Sequence, residues 1–379
     1  MSASVQGRSS TRSFARTSPA AVRVLVFGTY QRDYPRNAQV RSCLRTAGIA
    51  VTESHVAVWE GRRHAWSAGV GTLPRLLLAE TRLALRRDGG VRADAVLVGY
   101  PGHADIPAAR RAARGQPVVF DPLVSLFDTF VSDRGRFPAT SVVGRTLFAI
   151  DRAAFRAADV VVADTEAQAA YYVERFGLPP DRVRVCLVGA EERLFSPRPS
   201  ADHPFHALFV GKLIPLHGLD TILAAARLAS EVPFRIIGSG QLERELAHAP
   251  PNVDRVGWVE YERLPEELHS SGCALGVFGT SPKAARVIPN KAYQALACGV
   301  PLVTADTPAA RELLSNDENA LLVPPGDPQA LADAVRRLAR DRAAAERIGA
   351  AGRATFERRA SEAVLGKEWR SIFDQLAVT

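Results

Sequence analysis

The sequence lacks the features of membrane-spanning and secreted proteins. None of its apolar runs reaches the roughly 20 residues that a helix needs to cross a bilayer. Its first nineteen residues are rich in Ser, Arg and Thr and have no apolar core of the kind found in secretory signals. The four cysteines, Cys43, Cys186, Cys273 and Cys298, have no metal-ligand spacing, which favours buried free thiols in a reducing compartment. We therefore expect a cytoplasmic protein in which residues 1–19 form a disordered tail.

Two classes of ligand also lack their usual signatures. The arginine-rich composition gives a net charge of +8, and such a charge favours contact with anions. Basic and aromatic residues are nevertheless not interleaved as they are in nucleic-acid-binding modules. No Asp-x-Asp pair is placed to bind a metal diphosphate. We therefore expect no nucleic-acid partner and no bound metal.

Short apolar strands alternate with helices throughout the chain. A length of 379 residues is enough for two domains with full cores. Val/Leu/Phe runs that end at glycine and lead into helices are typical of parallel sheets covered on both faces. The strands predicted in the first half are 23–27, 93–99, 117–120 and 160–163. A segment rich in proline and serine at 196–204 has the composition of a linker.

The same alternation restarts after that linker. Strands are predicted at 207–210, 234–237, 254–256, 274–278, 301–304 and 321–323. Helices are predicted at 219–228, 262–270, 290–298 and 309–314, followed by a long helical tail from 328 to about 376. The pattern predicts a doubly wound α/β fold in each half.

Two strand-to-helix turns of the second half have the composition of anion-binding sites. Pro289 and Gly299 are suited to begin and end a helix. Lys291 in its first turn opposes the helix dipole, so an anionic ligand explains it better than helix stability does. The strand at 207–210 leads into a second such turn, which carries Lys212 and His217.

These segments resemble glycosyltransferase family 4. The resemblance is carried by FVGKLIP at 209–215, IIGSG at 236–240 and ACGVP at 297–301. It implies a GT-B fold, in which two Rossmann-like parallel-sheet domains face each other across a cleft and a C-terminal helix crosses back. The implied organisation is an acceptor-binding domain over 20–198, a nucleotide-sugar-binding domain over 204–358 and a returning helix over 359–379.

The resemblance implies a retaining, metal-independent transfer of sugar from a nucleotide-diphosphate sugar, with no other cofactor. Lys212 and His217 stand where the family usually has arginine and lysine, and are expected to stabilise the leaving diphosphate. Arg286 and Gln294 match the family's pair of glutamates, so Gln294 is expected to hold the ribose. The donor-binding residues implied in this way are Gly211, Lys212, His217, Gly238, Trp258, Val259, Arg286, Ile288, Pro289, Asn290, Lys291 and Gln294.

The acceptor side is expected at the sheet edge of the first domain. Asp121 directly follows a buried strand, where a charge is costly unless it binds something. His103 lies on a loop at the same edge and is a candidate polarising group. The catalytic candidates are thus His103, Asp121 and Lys212, and the acceptor-binding candidates are Gly28, Arg36, Asn37, His103 and Asp128.

Several alternatives remain open from the sequence. One is an inverting GT-B transferase with Asp121 or His103 as the base. Another is a non-catalytic nucleotide-binding or partner protein on this scaffold, because the glutamate pair is replaced; a third is a sugar-nucleotide epimerase. The acceptor is a small molecule, a glycan or a lipid-linked compound. Leucines and arginines at helical spacing over 73–87 fit either a surface helix or an interfacial helix at the inner face of the membrane.

Overall fold

The computed structural model of the protein describes residues 22–60, 73–85, 93–198 and 203–377. The tail expected at 1–19 and residues 199–202 of the expected linker lie outside the described residues. The strands and helices before and after that linker form two α/β units, each built on its own parallel sheet.

The first unit contains a six-stranded parallel sheet in the order β2-β1-β3-β4-β5-β6. Its strands are β1 (Arg23–Gly28), β2 (Ala50–His55), β3 (Ala95–Val98), β4 (Val118–Phe120), β5 (Val160–Ala163) and β6 (Val183–Val185). Its helices are α1 (Pro35–Thr46), α2 (Leu73–Leu85), α3 (Ile106–Ala113), α4 (Val142–Ala157) and α5 (Glu166–Phe176). The strand order reverses between β1 and β3, and ligands of open parallel sheets bind at such a point, beyond the carboxyl ends of the strands.

The second unit repeats this arrangement with the order β12-β11-β10-β7-β8-β9. Its strands are β7 (Ala207–Val210), β8 (Phe234–Ile237), β9 (Val253–Val256), β10 (Cys273–Leu275), β11 (Leu302–Ala305) and β12 (Leu321–Val323). Its helices are α6 (Leu219–Leu228), α7 (Leu264–His269), α8 (Asn290–Cys298), α9 (Pro308–Arg311), α10 (Pro328–Arg340) and α11 (Arg342–Arg359). Here the order reverses between β7 and β10, which directs attention to the loops after those strands.

The sequence pattern predicted a long helical tail from 328 to about 376, and the structure divides this segment into three helices. The Asp341 side chain caps a new helix by accepting from the backbone N–H of Ala344 (2.9 Å), and a further break precedes α12 (Glu362–Ala377). Helix α12 packs against α1 of the first unit, which is the crossing expected for the C-terminal helix. Trp369 of α12 is fully buried in an apolar cluster that includes Leu44 of α1 and Leu296 of α8. The returning helix therefore joins both units through one apolar core.

Candidate active site

Three loops of the second unit converge beyond the carboxyl end of β7. Gly211 has a φ of +152°, and a Cβ placed there would lie 2.8 Å from Lys291 Nζ and 3.3 Å from His217 Cε1. A Cβ on Gly238, which follows β8, would overlap the backbone oxygen of Gly211. Glycine is needed at both positions because the backbones and the lysine leave no room for a side chain. The structure therefore brings together the loop after β7, the loop after β8 and the N-terminus of α8.

Burial disfavours the charged forms of the two predicted lysines of this site. Lys291 Nζ is buried without a hydrogen-bond partner and lies 3.8 Å from the ring centroid of Phe209. Burial lowers the pKa of Lys291 well below its ordinary value, and burial together with the charge of Arg134 lowers the pKa of Lys212. Among the described residues, no ion pair involves either lysine. Such a site is suited to an anion that would restore the charged forms.

The surroundings of His217 favour its neutral form. Burial and the neighbouring Lys291 charge lower the pKa of His217 well below its ordinary value. Its Nδ1 contacts the backbone oxygen of Lys212. A carbonyl oxygen can only accept, so Nδ1 carries the proton and Nε2 is left as an acceptor in the neutral ring.

Gln294 lies one turn beyond Lys291 on α8 and is also buried. Its Nε2 is 3.4 Å from the Tyr261 hydroxyl. Burial, followed by the charge of Glu191, raises the pKa of that hydroxyl. Gln294 therefore belongs to a polar group that also contains Tyr261 and Glu191, beside the lysine site.

The remaining predicted donor residues surround this group. Trp258 and Val259 follow β9, and the indole N–H of Trp258 donates to Glu260 Oε1 (3.3 Å). Ile288 is buried, Pro289 precedes the first helical residue, and Asn290 begins α8. The Ala292 N–H donates to the Pro289 carbonyl (2.9 Å), and no side chain caps the N-terminus of α8. The first two backbone N–H groups of the helix are therefore suited to a ligand.

Arg286, predicted to contact the donor, reaches across the cleft to the first domain, and its Nε is buried without a hydrogen-bond partner. Its Nη2 donates to Asp128 Oδ1 (2.8 Å), and its Cζ lies 4.0 Å from the Tyr171 ring centroid. The backbone oxygen of Arg286 accepts from Thr165 Oγ1 (2.6 Å). Asp128, an acceptor-binding candidate, is therefore the ion-pair partner of a residue in the opposite domain.

Neighbouring contacts hold the same two surfaces together. Lys283 Nζ donates to Thr129 Oγ1 (2.6 Å), and Ser281 Oγ donates to Asp133 Oδ1 (3.2 Å). The carboxylate of Glu312 accepts from the backbone N–H groups at the start of α5, at 2.8 and 2.9 Å. The loop 281–286 of the second domain is thus docked on the turn Asp128–Asp133 and on α5 of the first.

The charge of Asp121 is explained by Arg36, and this corrects its interpretation as a ligand-binding or catalytic carboxylate. Arg36 Nε and Nη2 donate to the two oxygens of Asp121 (2.9 and 3.1 Å). Arg36 is 0% exposed and Asp121 is 2% exposed. Arg36 also donates to the backbone oxygens of Leu187 (2.7 Å) and Cys186 (3.2 Å). Both side chains are therefore used within the protein, and Arg36 is not directed toward an acceptor.

His103 is buried in the same way. Its ring lies between Phe120 and Phe155, with centroid distances of 5.1 and 5.8 Å. Its Nε2 is 3.2 Å from Asp151 Oδ1, and that carboxylate also accepts from Ser125 Oγ (2.6 Å). Neither ring nitrogen of His103 makes a hydrogen bond, and the side chain is buried and does not line the cleft as an exposed group.

Gly28 and Asn37 shape the loops at the edge of the first sheet. Gly28 has a φ of +126°, and a Cβ there would overlap the Asp105 carboxylate, which accepts from the Thr29 backbone N–H (2.8 Å). The amide of Asn37 donates to the backbone oxygens of Gln31 (2.8 Å) and Tyr100 (2.6 Å). The absence of a Cβ at Gly28 lets the Asp105 carboxylate approach the backbone, whereas Asn37 fixes two loops against each other.

The sequence interpretation missed Arg134. It follows the turn Asp128–Asp133 in the first domain. Its charge is nevertheless the second cause, after burial, that lowers the pKa of Lys212 in the second domain. No local pattern signals this role, because Arg134 is one of several arginines in a polar loop. Only the docking of the two domains brings it to the lysine site.

Helix α2 has the exposed leucines that the interfacial interpretation requires. Leu77 and Leu78 are 60% and 53% exposed, whereas Ala79 and Leu83 are buried. The helix therefore packs on its own sheet by one side and presents leucines on another. Within the described ranges, no helix is long and apolar enough to cross a bilayer, and no group of three or more His, Cys, Asp or Glu side chains is arranged to hold a metal ion.

Comparison with protein families gives two consecutive matches. Residues 204–341 match the family described as "Glycosyl transferases group 1". Residues 8–189 match the family described as "Glycosyl transferase 4-like domain". The two matches follow the two sheets described above and together cover most of the chain.

Similar proteins are found among curated sequences and solved structures. The chain is 27% identical over 323 residues to the GDP-mannose-dependent alpha-mannosyltransferase of Mycobacterium tuberculosis, which covers 81% of this chain and 77% of that protein. It is 32% identical over 211 residues to the D-inositol 3-phosphate glycosyltransferase of Acidothermus cellulolyticus, and the matched region covers 48% of this chain and 46% of that protein. The chain spans about half the length of the first curated relatives that it matches. The structure of HepE from Anabaena in complex with UDP-glucose has a TM-score of 0.66 at 16% identity and covers 93% of this chain and 99% of HepE. That likeness shows the GT-B fold.

Proposed function

Because this chain belongs to the family 4 glycosyltransferases of the GT-B fold, we propose that it transfers a sugar from a nucleotide-diphosphate sugar to a hydroxyl-bearing acceptor. The observation that carries the proposal is the pair of lysines, Lys212 and Lys291, beside Gly211 at the switch point of the second sheet. Neither lysine has an ion-pair partner among the described residues, and Lys291 Nζ is buried without a hydrogen-bond partner. A diphosphate supplies the negative charge that this site lacks. The backbone N–H groups at the start of α8 add hydrogen-bond donors on the same side.

In the proposed reaction the bond between the sugar carbon and the diphosphate oxygen breaks, and the acceptor's hydroxyl oxygen forms a new bond to that carbon. Negative charge develops on the leaving diphosphate, which takes up the proton that the acceptor hydroxyl releases. Lys212 and Lys291 stabilise that charge in a site of low polarity, where electrostatic interactions are stronger than in water. The anion stabilises the charged form of both lysines, because it offsets the burial that lowers their pKa values. These cations supply the positive charge that a metal ion provides in other transferases, so we propose a metal-independent reaction.

We also propose retention of configuration at the transferred sugar. An inverting reaction needs a side chain that removes the acceptor's proton as it attacks. The two candidates for that role are Asp121, which is paired with Arg36, and His103, which is enclosed beside Asp151. Neither is exposed to an acceptor in the cleft, and this favours the retaining alternative.

The comparisons favour particular donors. HepE has been solved with UDP-glucose, and the mycobacterial relative is GDP-mannose-dependent. We propose a hexose donor carried on UDP or GDP, with Gln294 and its partner Tyr261 at the ribose. The acceptor is a small molecule, a glycan or a lipid-linked compound. The exposed leucines of α2 favour contact with a membrane surface during transfer to the last of these.

A panel of sugar nucleotides tests the proposal. Thermal shift and isothermal titration calorimetry with UDP-glucose, GDP-mannose and ADP-glucose identify the donor. Release of the nucleoside diphosphate in the presence of small-molecule, glycan and lipid-linked acceptors then measures turnover with and without chelator. NMR of the product then gives the anomeric configuration. If the protein binds none of these donors, the proposal is contradicted. If it binds a donor but releases no nucleoside diphosphate, the non-catalytic alternative is supported. Loss of activity in chelator, or an inverted product, refutes the corresponding part.

A further inference from the structure

Arg134 of the first domain is held against the second domain by its backbone. Its carbonyl oxygen accepts a hydrogen bond from Gln241 Nε2 (3.3 Å). Gln241 directly follows Gly240, at the end of the loop after β8, and that loop contacts Gly211 through Gly238. The position of Arg134 is therefore fixed at the rim of the lysine site, although it belongs to the other half of the chain.

No ion pair joins the side chain of Arg134 to a carboxylate in the described part of the chain. Its Nε is buried without a hydrogen-bond partner, and its Cζ lies 5.3 Å from the Phe130 ring centroid. Asp133 accepts from Ser281 and Asp128 from Arg286, each through one oxygen, and the second oxygen of each is buried without a hydrogen-bond partner. The charge of Asp133 acts on Arg134, but neither carboxylate accepts a hydrogen bond from it. A buried arginine nitrogen without a partner is costly, so a missing acceptor is indicated.

The charge of Arg134 adds to the positive charge of the lysine site. After burial, Arg134 is the further cause that lowers the pKa of Lys212. The pKa of His217 is lowered first by burial and by the charge of Lys291, and the charges of Lys212 and Arg134 lower it further. Three basic side chains from two domains thus act on His217. Their convergence is favourable only when an anion carrying more than one charge lies between them.

We propose that Arg134 binds the diphosphate of the donor, closing the anion site from the acceptor domain. This inference rests on the proposed function and names a residue of the same site. Guanidinium groups bind phosphate oxygens through two parallel hydrogen bonds, which a lysine cannot reproduce. The diphosphate then bridges the two domains, so that donor binding stabilises the closed cleft.

The test compares Arg134→Gln and Arg134→Lys with Arg136→Gln, a matched control on the same loop whose arginine is exposed. Calorimetric titrations use UDP, GDP and ADP, with uridine, guanosine and adenosine as probes that lack the diphosphate. For Arg134→Gln we expect affinity for the bound diphosphate to fall roughly ten- to hundredfold, with the nucleoside affinity unchanged. Arg134→Lys recovers part of the loss, and Arg136→Gln stays within about twofold of the wild type.

The outcomes separate this inference from the proposed function. If the wild type binds a diphosphate and Arg134→Gln binds it equally well, the assignment of Arg134 is overturned while the proposed function stands. If the wild type binds none of the three diphosphates, both are overturned. If Arg134→Gln loses affinity for diphosphate and nucleoside alike, the residue has a structural role and the inference fails. The same holds if Arg134→Gln and Arg134→Lys lower the melting temperature of the protein to the same extent.

Discussion

The buried ion pair between Arg36 and Asp121 gives the sharpest test of how the first domain is built. The perturbation is Asp121→Asn, which preserves the shape of the side chain and removes its charge. In the structure both oxygens of Asp121 accept from Arg36, at 2.9 and 3.1 Å, and neither side chain is exposed. The substitution leaves a buried guanidinium without its carboxylate. If Asp121 were instead a catalytic base, the same substitution would impair turnover and spare the fold.

The magnitude follows from the burial of both charges. Removing one partner of a buried pair costs about 3–5 kcal/mol, because the other charge stays buried and uncompensated. Arg36→Met should cost more than Asp121→Asn, since Arg36 also donates to the backbone oxygens of Leu187 and Cys186 and each buried carbonyl left unpaired adds about 1–3 kcal/mol. The double variant Arg36→Met/Asp121→Leu should cost less than the sum of the single changes, because it leaves no lone charge.

The assay is urea unfolding followed by circular dichroism, with thermal melting as a second measure. The matched control is Glu346→Gln, which breaks the exposed pair of Arg342 and Glu346 (2.9 Å) and should cost less than about 1 kcal/mol. Donor turnover is measured at a temperature where each variant is folded. If Asp121→Asn retains wild-type stability within about 1 kcal/mol but loses turnover, the ion-pair interpretation is refuted and Asp121 is restored as a catalytic candidate.

Four further predictions follow from the site and the surface. Lys212→Ala should weaken binding of a nucleoside diphosphate by roughly ten- to hundredfold and leave nucleoside binding unchanged; calorimetry showing equal losses for both would make Lys212 structural. Gln294→Ala should raise the donor KM without unfolding the protein, and Gln294→Glu should be tolerated; steady-state kinetics unchanged by the alanine would remove the ribose assignment. Burial raises the pKa of Asp164 to about 7, so the folded state holds a proton that the unfolded state releases, and stability should fall as pH rises from about 4 to about 7. Asp164→Asn should therefore stabilise the protein above pH 7, by at most about 4 kcal/mol, with the gain fading toward pH 4; a pH-independent difference in urea unfolding would contradict this. Finally, the wild type should co-float with anionic liposomes in a salt-sensitive way, and Leu77→Ser/Leu78→Ser should reduce that flotation; equal flotation of both proteins would exclude α2 as the contact.

Local structure was largely predictable from the sequence. Helix α8 and strand β7 have the bounds that were predicted from their flanking proline and glycine and from their apolar runs. The reason is local, since a buried parallel strand is a continuous apolar run and a helix end needs particular backbone angles. Strand β2 was missed because it lies at the sheet edge, where half-exposed polar residues such as Thr52 and Glu53 break that pattern. Helices α4 and α5 were also missed, although Ser141 and Thr165 are ordinary N-cap residues.

The glycines and lysines of the donor site were identifiable for a related reason. Gly211, Lys212 and Lys291 lie on turns next to strands or helices whose positions the sequence shows, and parallel strands bring such turns to one edge. Their place in an anion-binding site can therefore be predicted before their contacts are known. What the sequence did not show is that Lys291 is buried beside Gly211 without a partner.

The partners of the charged side chains were decided only by the tertiary structure. Arg36 and Asp121 are 85 residues apart in sequence, and Asp128 and Arg286 are 158 apart. A charge beside a buried strand requires a partner, but local sequence does not distinguish a ligand from a distant arginine. Arg134 illustrates the converse, because nothing in its surroundings sets it apart until the second domain is placed against the first. The sequence by itself determined where each strand and anion-binding turn lies, and the packing of two domains determined which charges neutralise each other and which are left for a ligand.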